Sequence, residues 1–113
     1  MEVPGRQQGR EAGMQNQKLS LVIPAYNEET ILADTIDTAL RFLAEHSGGD
    51  YELIISDDGS TDRTREIAQS ISDAHLRVVS HTPNRGKGSA VREGILAATG
   101  DFIVCTDADL AYA

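Results

Sequence analysis

The stretch LSLVIPAYNEE, residues 19–29, decides the fold of this chain, because a largely apolar run passes directly into a polar segment. Its first six residues, 19–24, are rich in β-branched side chains and end in proline, which predicts a short buried β-strand. Five apolar side chains then recur at helical spacing: Leu32, Ile36, Ala39, Leu40 and Leu43. This spacing predicts an amphipathic helix over about residues 29–46, which ends before Gly48 and Gly49.

The same alternation of strand and helix continues along the chain. Three further strands are predicted, at residues 51–56, 76–80 and 101–106. Apolar spacing predicts a shorter helix around residues 67–71, capped by Ser60, Thr61 or Asp62, and another around residues 90–96. The order βαβαβαβ predicts an α/β fold: a parallel sheet of about four strands with flanking helices and right-handed crossovers.

Composition restricts the class of partner. The chain has 10 Lys and Arg against 18 Asp and Glu, a net charge of -8, which argues against a nucleic-acid backbone as the main partner. Cys105 is the single cysteine, so no intrachain disulfide can form, and a reducing cytosol is the expected location. The three histidines, at 46, 75 and 81, lack metal-ligand spacing and are expected on the surface or in loops.

One folded domain is predicted, and it covers residues 19–113. Residues 1–18 lack the apolar stretch of a signal peptide, and their Gln, Gly and Arg content predicts a disordered lead-in. No apolar run approaches the roughly 20 residues that a membrane-spanning helix requires, so we expect the chain as given to be soluble.

Polar clusters follow all four predicted strands, where the carboxyl ends of parallel strands meet and ligands usually bind. The clusters are residues 25–28 (AYNE), 57–62 (DDGSTD), 84–88 (NRGKG) and 107–109 (DAD). Tyr26, Asn27 and Glu28 could line a nucleotide base and ribose, although Asn27 is equally suited to cap the next helix. We therefore predict one ligand site at this edge of the sheet.

The last cluster carries the predicted metal site. Asp107 and Asp109 are separated by one residue at the end of a strand, so both carboxylates can point the same way and share one hard cation. Mg²⁺ or Mn²⁺ suits a set of carboxylate, water and phosphate oxygens. The alternative is a solvated loop in which Asp109 caps a helix.

The two middle clusters fit a nucleotide. Asp58 could accept a hydrogen bond from a ribose hydroxyl or a base N–H, the alternative being an Asx turn with Ser60 as the cap of the next helix. Arg85 and Lys87, on a glycine-containing loop of an acidic protein, could contact a diphosphate, the alternative being a solvated surface turn. A Walker A loop is excluded, because that motif needs Gly at position 81 and Ser or Thr at position 88.

Four collinear motifs resemble the family 2 glycosyltransferases of GT-A fold. They are VIPAYNEE (residues 22–29), ISDDGSTDRT (55–64), NRGKGSAVREGILAATGD (84–101) and TDADL (106–110). Within that family the NRGKGSAVR and DADL segments are most similar to those of the dolichyl-phosphate and polyprenyl-phosphate glucosyltransferases, with the mannosyltransferases as close relatives.

The resemblance implies a role for each site residue. Pro24, Tyr26, Glu28 and Asp58 would hold the nucleoside, Lys87 would lie near the donor, and Asp107 with Asp109 would hold the metal ion and diphosphate. The implied reaction is inverting transfer of a hexose, from UDP-glucose in preference to GDP-mannose, to a dolichyl or polyprenyl phosphate. That acceptor would place the protein at the cytosolic face of a membrane, as a peripheral protein.

Members of the family continue past the DADL segment into the acceptor site, so the resemblance assigns no catalytic base to this chain. We expect residues 1–113 alone to bind donor weakly at best and not to turn over. The alternative function is a non-catalytic nucleotide-binding α/β module.

Overall fold

A computed structural model describes residues 17–109 of the 113-residue chain. The strands are β1 (Leu19–Ala25), β2 (Tyr51–Asp57), β3 (Leu76–Ser80) and β4 (Phe102–Cys105). The helices are α1 (Leu32–His46), α2 (Thr64–Ser70) and α3 (Lys87–Ala97). Residues 1–16 of the predicted lead-in and residues 110–113 lie outside the described part. Lys18 belongs to the fold, because its amide donates to Asp101 Oδ2 at 2.8 Å.

The four strands form one parallel sheet in the order β3-β2-β1-β4. Leu19 pairs with Tyr51 on one side and with Phe102 on the other, and Leu53 pairs with Leu76. All four carboxyl ends therefore lie along one edge of the sheet, which we call the carboxyl edge. The predicted α/β architecture is confirmed.

The two central strands are buried on both faces, as continuous apolar runs in parallel strands require. Alternate side chains of β1 and β2, including Ile23 and Ile55, pack with α1 in the main core. The opposite face carries α3, where Gly94 lies so close to β1 that an added Cβ would be 2.3 Å from Val22 Cγ1. Each fully buried aliphatic side chain contributes about 1.5–3 kcal/mol relative to an exposed one.

The helices begin at different residues from those predicted. Helix α1 starts at Leu32 rather than near 29, because the preceding residues form a turn in which the Ile31 and Leu32 amides donate to Glu28 O. Helix α3 starts at Lys87, inside the segment predicted as loop. Strand β4 is an edge strand whose apolar side chains, such as Phe102 and Val104, are about half exposed. Between residues 17 and 109, no helix is both long and apolar enough to span a bilayer.

Candidate functional site

A cavity of about 390 Å³ opens at the carboxyl edge. All seven residues predicted for the site line it: Pro24, Tyr26, Glu28, Asp58, Lys87, Asp107 and Asp109. They come from the ends of β1, β2 and β4 and from the start of α3. The topology therefore brings together residues that are as far apart along the chain as Pro24 and Asp109, a separation of 85 positions. Arg85, predicted to act beside Lys87, is exposed and is not among the lining residues. The roles assigned to the seven residues stay predictions.

The loop after β1 is joined to the loop after β2 by Asn27. Its Oδ1 accepts hydrogen bonds from the amides of Thr61 (2.9 Å) and Asp62 (3.3 Å), and its own amide donates to Ser60 Oγ (2.9 Å). Asn27 has a φ of 53°, a left-handed conformation that asparagine tolerates better than most residues. It therefore does not cap α1, so the helix-cap alternative is wrong. Asn27 is not among the residues that line the cavity, and its contact with a nucleotide base stays a prediction.

Thr64 makes the second connection between these loops. Its hydroxyl is buried, accepts the Glu28 amide at 2.7 Å and donates to Asp62 Oδ1. Asp62 also accepts the Thr64 amide at 2.9 Å, so one of the three predicted capping residues contacts the first residue of α2. The backbone on either side of Glu28 is thereby fixed, which determines where the Tyr26 and Glu28 side chains enter the cavity. The sequence offered no signal for Thr64 beyond its position at a helix start.

Asp58 is buried, with 2% of its surface exposed, and its carboxylate accepts hydrogen bonds from four protein groups. Oδ1 accepts from His81 Nε2 (2.6 Å) and the Arg85 amide (2.9 Å), and Oδ2 accepts from Asn84 Nδ2 (2.8 Å) and the Gly86 amide (2.8 Å). Burial raises the pKa of this carboxyl, but the hydrogen bonds from Arg85, His81 and Gly86 outweigh burial and hold the pKa below its ordinary value.

His81 was expected at the surface or in a loop, without a role. Its side chain is only 13% exposed, because the ring lies against Asp58. No pattern in the sequence connects positions 58 and 81, which become neighbours only through the pairing of β2 with β3. The neighbouring Asp57 makes a local contact instead, with its Oδ1 accepting the Ser60 amide at 3.3 Å.

Lys87 and Asp107 face each other across the cavity and form an ion pair through Nζ and Oδ1. Both side chains are substantially exposed, at 65% and 43%, so an incoming ligand can reach them. The loop that carries Asp107 is anchored to α1, because the buried Ala108 carbonyl accepts a hydrogen bond from Thr35 Oγ1 at 2.6 Å. Thr35 is a further residue that the sequence did not indicate.

The carboxylates at this edge repel one another. The pKa of Glu28 is raised, first by burial and then by the charges of Asp109, Asp62 and Asp107. A cation among these groups would relieve that repulsion. Within residues 17–109 no three His, Cys, Asp or Glu side chains are arranged around one metal position, so Asp107 and Asp109 would need oxygen ligands from a phosphate and water. That donor set fits a hard divalent cation.

Comparison with known sequences gives a family match over most of the chain. The profile described as Glycosyl transferase family 2 matches residues 20–113. A dolichyl-phosphate beta-glucosyltransferase from Dictyostelium discoideum is 41% identical over 99 residues, which are 80% of this chain and 30% of that protein. The chain therefore spans about a third of the length of this relative.

Two solved structures are similar over most of the described fold. The mannosyltransferase PcManGT from Pyrobaculum calidifontis, in complex with GDP-Man and Mn²⁺, has a TM-score of 0.69 and 30% identity over 82% of this chain and 28% of its own. Glucosyl-3-phosphoglycerate synthase from Mycobacterium tuberculosis, in complex with Mn²⁺, UDP and glucosyl-3-phosphoglycerate, has a TM-score of 0.65 and 32% identity over 87% of this chain and 36% of its own. These similarities confirm the predicted GT-A fold.

Proposed function

This chain belongs to glycosyltransferase family 2, and we propose that residues 19–113 form the part of such an enzyme that binds a nucleotide-sugar donor. The observation that supports this proposal is the convergence of all seven predicted site residues on one cavity at the carboxyl edge. Nucleotides bind at this edge in open parallel α/β sheets because strand ends and helix N-termini converge there.

The proposed donor lies with its nucleoside against β1 and β2 and its diphosphate against α3 and β4. Pro24, Tyr26, Glu28 and Asp58 border the nucleoside end. The exposed Tyr26 ring offers an apolar face for a base, and Glu28 offers an acceptor for a ribose hydroxyl. Tyr26 and Glu28 are held at fixed positions by the contacts of Asn27 and Thr64.

At the diphosphate end, Lys87, Asp107 and Asp109 would act together. Asp107 and Asp109 would hold Mg²⁺ or Mn²⁺, and a divalent cation bound there would offset the charge that develops on the departing nucleoside diphosphate. Lys87 would exchange its contact with Asp107 for a phosphate oxygen, because a lysine ammonium binds phosphate as a point charge.

We propose that the reaction served by this site is transfer of a hexose to a dolichyl or polyprenyl phosphate. The name of the Dictyostelium relative, a dolichyl-phosphate beta-glucosyltransferase, supports glucose as the transferred sugar, and the UDP bound to the Mycobacterium tuberculosis synthase supports UDP as its carrier. The GDP-Man complex of the Pyrobaculum enzyme supports GDP-mannose as second candidate. A lipid-phosphate acceptor would bring the protein to the cytosolic surface of a membrane.

Calorimetric titration tests the donor site. UDP-glucose and GDP-mannose are titrated into the chain with Mn²⁺ and with EDTA, and we expect weak binding of UDP-glucose that requires the metal. Asp107→Asn should abolish this binding, because one of two metal carboxylates is lost. Asp37→Asn, which removes a carboxylate from an exposed ion pair with Arg41 on α1, is the matched control and should bind as wild type. If neither donor binds at millimolar concentration with Mn²⁺, the donor site does not exist.

A further inference from the structure

We propose that His81 is a positioning residue for the donor site: it orients the Asp58 carboxylate, which in turn holds residues 84–87 so that Lys87 faces the diphosphate position. The donor role of this arrangement depends on the proposed function, but the arrangement itself is a property of the protein without ligand. No motif considered above includes His81.

The Asp58 carboxylate accepts as many hydrogen bonds as its two oxygens can take. Two carboxylate oxygens offer about four acceptor directions, and each oxygen of Asp58 already accepts two hydrogen bonds. Three of the four donors belong to residues 84–86 of one loop. The carboxylate therefore acts as the internal support of that loop, in place of the backbone pairing that a strand or helix would supply.

The fourth donor to Asp58 is His81, which lies outside that loop. His81 directly follows β3, and its amide donates to Asp57 O at 3.2 Å, so its backbone continues the pairing of β3 with β2. Because an ionised carboxylate only accepts, His81 Nε2 must carry the hydrogen in the 2.6 Å contact. Of the four donors, His81 alone is placed by the sheet, and it therefore fixes the carboxylate relative to the sheet.

The loop that Asp58 holds leads directly into Lys87. The Gly86 amide, bound to Asp58 Oδ2, immediately precedes Lys87, the first residue of α3. The neighbouring backbone is equally constrained: a Cβ at Gly59, which has a φ of 70°, would lie 2.7 Å from the Asn84 amide nitrogen. The order of contacts from β3 to the cavity is thus His81, Asp58, Gly86 and Lys87.

Two substitutions at one position test this chain of contacts. His81→Leu removes the N–H donor at similar volume, and His81→Gln places an amide N–H near the same position. By NMR hydrogen exchange, we expect the Arg85 and Gly86 amides to exchange at least about tenfold faster in His81→Leu, with core amides such as Leu53 unchanged. His81→Gln should restore most of the protection. His46→Leu, which removes a histidine whose ring contacts the Phe42 carbonyl and ring, should match wild type.

Binding of UDP with Mn²⁺ provides the second measurement. We expect His81→Leu to raise the Kd at least about fivefold and His81→Gln to bring it back toward wild type, a rescue that general loss of packing would not give. Unchanged exchange at Arg85 and Gly86 in His81→Leu overturns the proposal, as does an unchanged Kd. The exchange measurement needs no nucleotide, so a wild-type chain that fails to bind UDP contradicts the proposed function and leaves the exchange result to decide whether His81 holds the loop.

Discussion

Asn27 lies in the turn between β1 and α1, where its side chain and its amide make hydrogen bonds to the loop that follows β2. With a φ of 53° it presents its amide nitrogen to Ser60 Oγ and its Oδ1 to the Thr61 and Asp62 amides. The sequence allowed two roles for Asn27, helix cap and base contact. It does not cap α1, because its partners are 33 to 35 positions away and become accessible only when β1 pairs with β2.

Two substitutions of Asn27 separate the contribution of its hydrogen bonds from that of its tolerance of a left-handed conformation. Asn27→Ala loses the Oδ1 hydrogen bonds, and alanine tolerates the left-handed conformation less well than asparagine, so we expect the free energy of unfolding to fall by about 2 kcal/mol. Asn27→Gly loses only the hydrogen bonds and should cost about 1 kcal/mol. Urea unfolding measures both. Equal losses in the two variants would show that the φ of 53° stores no strain at this position.

Helix α3 illustrates how packing can reverse a local preference. Glycine in the middle of a helix is normally less stable than alanine by roughly 0.5–1 kcal/mol. Gly94 is nevertheless required where it is, because the helix lies against β1 and an added Cβ would be 2.3 Å from Val22 Cγ1 and 3.5 Å from Ser56 Cβ. The close approach also allows Ser56 Oγ to donate to the Ala90 carbonyl at 2.6 Å.

Gly94→Ala should therefore destabilise the protein by about 1–3 kcal/mol, since the buried side chain of Val22 has no room to move away without repacking. Gly88, in the same helix, has no atom within 4 Å of an added Cβ and provides the matched control. Gly88→Ala should leave stability unchanged or raise it by up to about 1 kcal/mol. Thermal unfolding of the two variants measures the difference, and a Gly94→Ala protein as stable as Gly88→Ala would contradict the packing argument.

The strands were more predictable than the helix starts. Strand β3 has the predicted bounds, and β1 and β2 each extend one residue further, to Ala25 and Asp57. Strands buried on both faces leave a direct record in the sequence as short apolar runs. Helix α1 begins three residues late because Glu28 and Glu29 donate their amides to Thr64 Oγ1 and Asp62 Oδ2, contacts between distant loops that no local pattern contains.

Across the whole molecule, the sequence predicts where the site lies but not which residues hold the lining residues in place. The residues that line the cavity follow strand ends, and parallel topology alone brings strand ends together, so their convergence could be expected. Different residues hold them in place, through hydrogen bonds between positions 23 to 73 residues apart: Asn27, Thr35, Thr64 and His81. Such contacts depend on three-dimensional proximity, which one sequence does not encode in its spacing.

The opposite edge of the sheet, where the strands begin, is organised around a single buried carboxylate. Glu52 on β2 has a side chain that is 4% exposed, and it accepts hydrogen bonds from Ser20 Oγ on β1 (2.6 Å) and Arg77 on β3 (2.9 Å). It also accepts the Thr99 amide (2.7 Å), from the segment that leads into β4. Glu52 therefore joins β1, β2 and β3 to the segment that precedes β4, at the end of the sheet opposite the cavity.

This arrangement predicts how stability depends on pH. Burial raises the pKa of Glu52, but the hydrogen bonds from Ser20, Thr99 and Arg77 outweigh it and lower the pKa from 4.5 to about 2. Because the folded-state pKa is the lower one, the stabilisation is present above pH 4.5 and is lost as the pH falls toward 2. A shift of this size corresponds to at most about 3 kcal/mol.

Glu52→Gln should accordingly lower the free energy of unfolding most at pH 6, and the gap to wild type should narrow between pH 5 and pH 2, roughly the interval set by the two pKa values. Urea unfolding at several pH values measures the gap. Glu45→Gln, at an exposed position on α1, is the control and should follow wild type at every pH. A gap between Glu52→Gln and wild type that stays constant with pH would mean that Glu52 stabilises the sheet through packing, because only a carboxylate that gains its proton on acidification can lose these hydrogen bonds progressively.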